Sequence, residues 1–185
     1  MSAPSCDPPP YTGGPEADAY PAIADRLADR LWNHGDLSAI DDHCGPHLRT
    51  HLPDVSEELG AAALEQAVLD RRRALPDTRY RTLDVLAEGD LVLLRAEYRG
   101  THRGELAGLP PTGRAVCATE TTLFRFEDGR VVELWQQSDG LAVMTQLGLI
   151  APEETPPLGR IAHSLKATAR LALLRVRAAR SGGRR

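Results

Sequence analysis

The sequence predicts an α+β fold: a curved antiparallel sheet wrapped over N-terminal helices as a cone-shaped pocket, followed by a C-terminal basic helix. Three observations carry that expectation. Up to residue 75 apolar side chains recur at helical spacing. After Pro76-Asp77 the period falls from 3.6 to 2. The period-2 region is then broken by the tight turns Glu88-Gly89-Asp90 and Glu127-Asp128-Gly129. Helices first and a meander afterwards imply segregated α and β layers.

Residues 1–15, MSAPSCDPPPYTGGP, hold too much Pro and Gly to pack and are expected to form a disordered lead. Residues 16–150 are expected to form the cone domain, and 151–185 a hinge with a basic tail. In the domain, Ile23, Leu27, Leu31 and Trp32 mark a first helix, with Asp25, Arg26, Asp29 and Arg30 on its other face. Asn33-His34-Gly35-Asp36 ends it, Gly35 serving as a left-handed cap. A short helix over 37–43 is stopped by Gly45-Pro46, and 47–52 reads as a strand. A third helix covers 60–75, with Ala63, Leu64, Ala67, Val68 and Leu75 inward and Arg71-Arg72-Arg73 expected to face water. Strands are predicted over 80–87, 91–102, 116–126 and 130–137, and a terminal helix over 141–147, capped by Gly148.

Composition narrows the function. With 185 residues, 42% hydrophobic and 26% charged, this reads as one globular domain with tails, and 4% aromatics leave the core mainly to aliphatic residues. Residues 156–185 carry eight Arg and Lys and no acid, so residues 1–155 hold a net −12 of the total −4. So acidic a body is a poor nucleic-acid binder, because duplex affinity rests on cationic contacts to phosphate. Cys6, Cys44 and Cys117 are odd in number and lack a CxxC spacing, which argues against disulfides or a thiolate metal site. No signal-peptide pattern or run of about 18 apolar residues stands out, so a cytoplasmic location is expected.

Several motifs are excluded. Gly104, Gly108 and Gly113 do not follow GxGxxG and no strand-to-helix junction lies there, so the loop GELAGLPPTGR is expected to rim a pocket rather than hold a nucleotide. No serine sits in a G-x-S-x-G elbow. His43, His47 and His51 recur every four residues, but Gly45-Pro46 forbids the continuous helix that would align them, so no metal site is expected.

The segments NHGDLSAIDDHCGPHLRTH, GTHRGELAGLPPTGR, FRFEDGRVVELWQQSD and MTQLGL resemble the SnoaL-like polyketide cyclases and the broader ester cyclases over roughly residues 20–150. The resemblance implies the cone shared with nuclear transport factor and ketosteroid isomerase, a homodimer through the convex sheet face, and no metal or organic cofactor. It also implies aldol closure of a polyketide ring. The family's acid/base aspartate on the last strand aligns with Gln136. A glutamine and a histidine on the preceding strand align with Glu120 and Thr122. The family histidine of the long strand matches His102, and the aspartate closing the last strand matches Asp139. The family often places a histidine at the end of its first strand, facing the pocket, which would be His51.

Strand alternation puts Glu120, Thr122 and Phe124 on one face, and Val132, Leu134 and Gln136 on one face of the next strand. If these faces line the cone, Glu120 and Gln136 share a cavity, with His102 in phase with Tyr98 beside them. A carboxylate among aliphatics has its charged form disfavoured and can act as acid or base near neutrality, an imidazole can relay a proton, and an amide can hold a substrate oxygen. The catalytic candidates are therefore Glu120, His102 and Asp139; the substrate-binding candidates are Gln136, His51, Thr122, Tyr98, Leu134 and Phe124. The other reading of Glu120 is a convex-face ion pair with Arg125 or a dimer partner. Trp135, opposite in parity to Gln136, is expected on the outer sheet surface at a dimer contact.

In the tail, Ile161, Leu165, Ala169, Ala172, Leu173 and Val176 form one stripe of a basic amphipathic helix. It could lie on an anionic membrane surface, but docking on the acidic body is favoured. The function expected is a cofactor-independent cyclase or isomerase acting on a small hydrophobic, oxygenated ligand. The alternatives are a non-catalytic binding protein on the same fold, or an epoxide-opening hydrolase that would need two carboxylates bridged by a cation.

Overall fold

The computed structural model describes residues 19–53, 59–106, 108–151 and 156. The Pro-rich lead, most of the hinge and the basic amphipathic helix lie outside the described residues. Helix α1 (Tyr20–Asp29) buries Tyr20, Ala24, Leu27 and Ala28, so of the stripe read from the sequence Leu27 is fully inside and Ile23 only partly. It then widens into a π-helical turn over Arg30–His34 that buries the adjacent pair Leu31 and Trp32. Gly35 ends the turn at φ 66°, where a side chain would be strained. Just before it, the Asn33 side chain accepts from Tyr80 N at 2.8 Å and donates to Tyr80 O at 2.9 Å. That clamp fixes the helix end against the sheet edge and supplies backbone partners an edge strand would otherwise lack.

Helix α2 (Ser38–His43) is followed at once by β1 (Cys44–His51), so the first strand begins three residues earlier than expected and contains Gly45-Pro46. Proline is tolerated there because β1 is an edge strand. Helix α3 (Ala61–Ala74) precedes β2 (Arg79–Glu88), β3 (Leu91–Thr101), β4 (Ala115–Glu127), β5 (Arg130–Ser138) and α4 (Gly140–Leu147), each within a residue of the predicted bounds. The five strands are ordered β1-β5-β4-β3-β2, with β1 parallel to β5 and the other neighbours antiparallel. The result is the expected α+β architecture, a curved sheet with helices on its inner face.

One register detail departs from simple alternation. Arg125 pairs with Glu133 and Phe126 with Val131, which leaves Val132 as an extra, bulged residue. The inner face of β5 therefore carries Val131, Leu134 and Gln136, not Val132. Gln136 keeps its inward direction because it lies beyond the bulge.

The far end of β3 ties down the end of α3. Arg103 N and Gly104 N both donate to Ala74 O, at 2.9 and 3.1 Å, satisfying one of the helix's terminal carbonyls. A Cβ on Gly104 would stand 1.9 Å from the Arg73 carbonyl oxygen. Gly104→Ala is expected to push the helix end off the strand and cost about 1–3 kcal/mol. Urea denaturation should show this as a lower midpoint at an unchanged slope.

Candidate active site

The inner face of the sheet carries one buried charge. Glu120 is 1% exposed and sits midway along β4, with Ala96 opposite it on β3 and Ser138 on β5. Its carboxylate accepts from Arg71 of α3 through two nitrogens, Nη2 to Oε2 at 2.5 Å and Nη1 to Oε1 at 3.3 Å. Gln136 Nε2 donates to Oε1 at 2.8 Å. Gln136 itself is 2% exposed, while its neighbour Gln137 faces solvent. The adjacent amides are thus divided by strand parity, one into the site and one out of it.

Arg71 corrects the sequence reading, which turned the whole Arg71-Arg72-Arg73 run to water. Leu64, Val68, Arg71 and Leu75 fall four, three and four residues apart, so Arg71 belongs to the buried stripe of its helix. Arg72 packs instead by Gly35 and donates to Asn33 O, and exposed Arg73 pairs with Asp70. The Arg71 guanidinium lies 3.9 Å from the Trp32 ring centroid and 4.6 Å from that of Tyr98. Two aromatic faces and a carboxylate therefore hold the cation in place. Burial by itself would lower its pKa, but the Glu120 carboxylate outweighs burial and raises it. The residues of this cluster missed from the sequence were Arg71 and Trp32. The helical phase of Arg71 was the available signal, whereas a basic triplet normally means a solvated face.

Hydroxyls surround this pair. The Tyr98 hydroxyl is 3.1 Å from Ser138 Oγ, and burial raises its pKa against the opposing effect of that hydrogen bond. Tyr80 is also buried and its pKa is pushed up, first by burial and then by the Glu120 charge. Both phenols stay protonated at neutral pH. The Tyr80 hydroxyl lies beside Thr122 without a well-formed hydrogen bond, and Thr122 Oγ1 is buried without one as well. Phe124 and Leu134 are buried on the same inner face. The setting of Glu120 is thus an ion pair with polar neighbours, not the aliphatic pocket expected.

The other candidates are dispersed. His102 is fully buried, but it pairs with Arg114 beyond the end of β3, six residues along from Ala96. At about 3.3 Å per residue this is roughly 20 Å from Glu120, so strand phase was right but the separation is too long for a direct proton relay. Its Nδ1 accepts from Thr112 N at 3.2 Å and lies 3.0 Å from Thr112 Oγ1, fastening the 104–112 loop. Leu109 of that loop is buried. Asp139 is exposed and caps α4, its Oδ1 accepting from Ala142 N at 2.9 Å.

His51 lies on the opposite face from the cluster. The parallel β1–β5 register sets it beside Trp135, so it takes the parity of Trp135 and not of Gln136. Its ring stacks on Trp135 at 5.2 Å and its Nε2 meets Glu133 Oε1 at 2.9 Å. Glu133 also binds Arg49, and Arg125 pairs with Asp90 on this outer face, not with Glu120. His43 ends α2 while His47 and His51 lie on β1. Among the described residues, no group of three or more His, Cys, Asp or Glu side chains could hold a metal ion, and no helix is long and apolar enough to cross a membrane.

Two measurements test this geometry. Arg71→Met alone should strand a buried carboxylate and cost about 3–5 kcal/mol, whereas Arg71→Met with Glu120→Leu should cost less than Arg71→Met by itself. Denaturant titration of both variants, with Glu120→Leu as the other single, closes the cycle. Burial lowers the His102 pKa below its ordinary 6.5, against an opposing backbone contact with Gly104. The unfolded chain then binds the proton more readily, so its contribution is present above pH 6.5 and lost as pH falls below that value. His102→Asn should flatten this part of the stability–pH profile.

Comparison with known proteins places the cluster in context. AclR from Streptomyces galilaeus, a proposed hydroxylase, is similar at 30% identity and TM-score 0.65, over 72% of this chain and 98% of that one. IdmH from Streptomyces antibioticus, a proposed polyketide cyclase, is similar at 31% identity and TM-score 0.61, over 69% and 98%. A proposed SnoaL-like polyketide cyclase from Jannaschia sp. CCS1 gives 27% identity and TM-score 0.67, over 75% and 96%. No curated protein sequence matches the chain. The family model for SnoaL-like polyketide cyclases matches residues 22–147, a span that takes in every element from α1 to α4. That match supports a cyclase-type role: the chain belongs to the SnoaL-like polyketide cyclase family.

Proposed function

We propose that the protein is a cofactor-independent cyclase or isomerase acting on a small, largely apolar, polyketide-like molecule by proton transfer in the inner cluster. The observation that carries this reading is the buried Arg71–Glu120–Gln136 arrangement. A carbonyl of the ligand meets Arg71, whose guanidinium has N–H groups beyond the two that hold Glu120. Glu120 takes a proton from the neighbouring carbon, and the enolate oxygen is stabilised by Arg71 and Gln136. In ring closure the enolate carbon attacks a second carbonyl, whose oxygen then receives a proton. Tyr98 and Ser138 lead from the cluster to the strand end, where Asp139 exchanges protons with solvent. Thr122, Phe124 and Leu134 floor the ligand pocket, His102 serves the loop, and His51 takes no part in the chemistry. A cytoplasmic place in secondary metabolism goes with this reading.

The alternative class has an observation of its own. Both Glu120 oxygens already accept hydrogen bonds, and Gln136 stands where the family resemblance implies an aspartate. A protein that binds such a ligand without turning it over would look the same. Epoxide opening is less well supported, since the carboxylate that meets Arg71 among the described residues is Glu120, with an amide in the second position. The outer face suggests a homodimer: Leu86, Leu93, Leu123 and Trp135 stand opposite one another across four strands as one apolar row.

The test is deuterium uptake at the α-carbon of an aryl β-keto ester in D2O, followed by NMR. The protein should accelerate exchange, and Glu120→Gln, which can still accept from Arg71, should lose about 10²-fold or more of that acceleration. Binding of the ester without acceleration would favour the carrier reading. For assembly, Leu123→Glu should convert a dimer to a monomer in light scattering.

A further inference from the structure

Away from the inner cluster, the outer face holds an open cleft of about 600 Å3 where β2, β3 and β4 run past α4. It does not reach Glu120. The register fixes its layout. Arg79, Arg99 and Cys117 stand opposite one another across three strands, and Thr101 faces Ala115 in the next row. Gly100 and Ala115 are small enough to leave the floor open, Val116 adds its backbone while its side chain is buried in the core, and Asp77, Thr101 and Gln146 complete the wall.

Among the lining residues two arginines stand against one carboxylate, Asp77, which leaves the cleft net positive by one charge. Two arginines directly opposite one another on neighbouring strands repel. Arg99 is partly compensated, its Nε donating to Glu97 at 2.8 Å. Arg79 has no hydrogen-bonded or ion-paired partner among the described residues. Asp77 is turned to the neighbouring strand, where its two carboxylate oxygens accept from Thr101 N and Thr101 Oγ1, each at 2.7 Å. Two arginines at paired positions on neighbouring strands, over an open floor, offer guanidinium donors suited to a planar or tetrahedral oxyanion.

We propose that this cleft binds a small organic anion, its carboxylate or phosphate bridging Arg79 and Arg99 and its body lying over Gly100, Ala115 and Val116. The site is independent of the reading given to Glu120. The anion relieves the repulsion between the two cations and leaves their existing partners in place.

Cys117 offers a built-in reporter, because its exposed thiol lines the cleft. Cys44 is buried and its thiol is pushed up to about 12, first by burial, so it does not compete. In a Cys6→Ser background, alkylation of Cys117 by iodoacetamide would be followed at constant ionic strength with phenyl phosphate, benzoate or neutral benzamide added. Either anion should slow the reaction saturably while benzamide does not, and which anion acts at lower concentration identifies the head group. Arg79→Gln should raise the half-protecting concentration about tenfold or more. The proposal fails if Cys117 does not react in the folded protein, since the cleft would then be covered. It also fails if added chloride protects equally well, or if protection survives intact in both Arg79→Gln and Arg99→Gln.

Discussion

The buried pair of Arg71 and Glu120 is the constraint on which the inner architecture depends. A guanidinium and a carboxylate removed from water lose several kcal/mol of hydration each, and only close, hydrogen-bonded contact offsets that loss. The contact requires α3 to lie across the sheet at one height. The backbone bonds from Arg103 and Gly104 to Ala74 set that height from one end. Trp32 and Tyr98, on either side of the guanidinium, set it laterally. The π-helical turn that delivers Trp32, and the Asn33 clamp that holds the turn to β2, belong to the same arrangement. A slip of either helix would separate two buried charges, so the fold and the site are stabilised by the same contacts.

The two faces of the sheet divide the chemistry. The inner face concentrates one ion pair, an amide and several hydroxyls in an otherwise aliphatic interior. The outer face carries a broader set of partly exposed ion pairs around Glu133 and Asp90, an apolar row ending at Trp135, and the arginine-lined cleft. Pairs whose cation is exposed, such as Arg49–Glu133, contribute little to stability, with medians near 0–1 kcal/mol, whereas Arg125–Asp90 is nearly as buried as Arg71–Glu120. Their arrangement bears on what the surface meets more than on whether the chain folds.

Much of the fold was legible because its signals are local. Apolar spacing, Gly35 after the first helix and the two hairpin turns are statements about neighbours in the chain, and the element bounds followed from them to within a residue or two. The exception, β1, began early because an edge strand accepts the Gly45-Pro46 pair that reads as a stop. The site was legible by halves. Parity alone separated Gln136 from Trp135 and grouped Glu120 with Thr122 and Phe124; burial in the structure showed which of those faces is the inner one. Parity could not find Arg71, because a basic triplet ordinarily means solvent and only its helical phase said otherwise. Nor could it place His51, since a parallel partner strand forms through a long-range pairing. For His102 the phase was right and the distance was not.

The sequence by itself determined the order and type of the elements, which residues of each strand share a face, and the family to which the chain belongs. These depend on the periods 3.6 and 2 and on turn chemistry, which act between residues a few positions apart. Only the tertiary structure decided that Glu120 is an ion-paired carboxylate and not a lone one, because its partner lies 49 residues earlier on a different element. Which cation meets which carboxylate depends on how a helix is laid over a sheet. That is settled by packing and by the cost of leaving either charge buried alone.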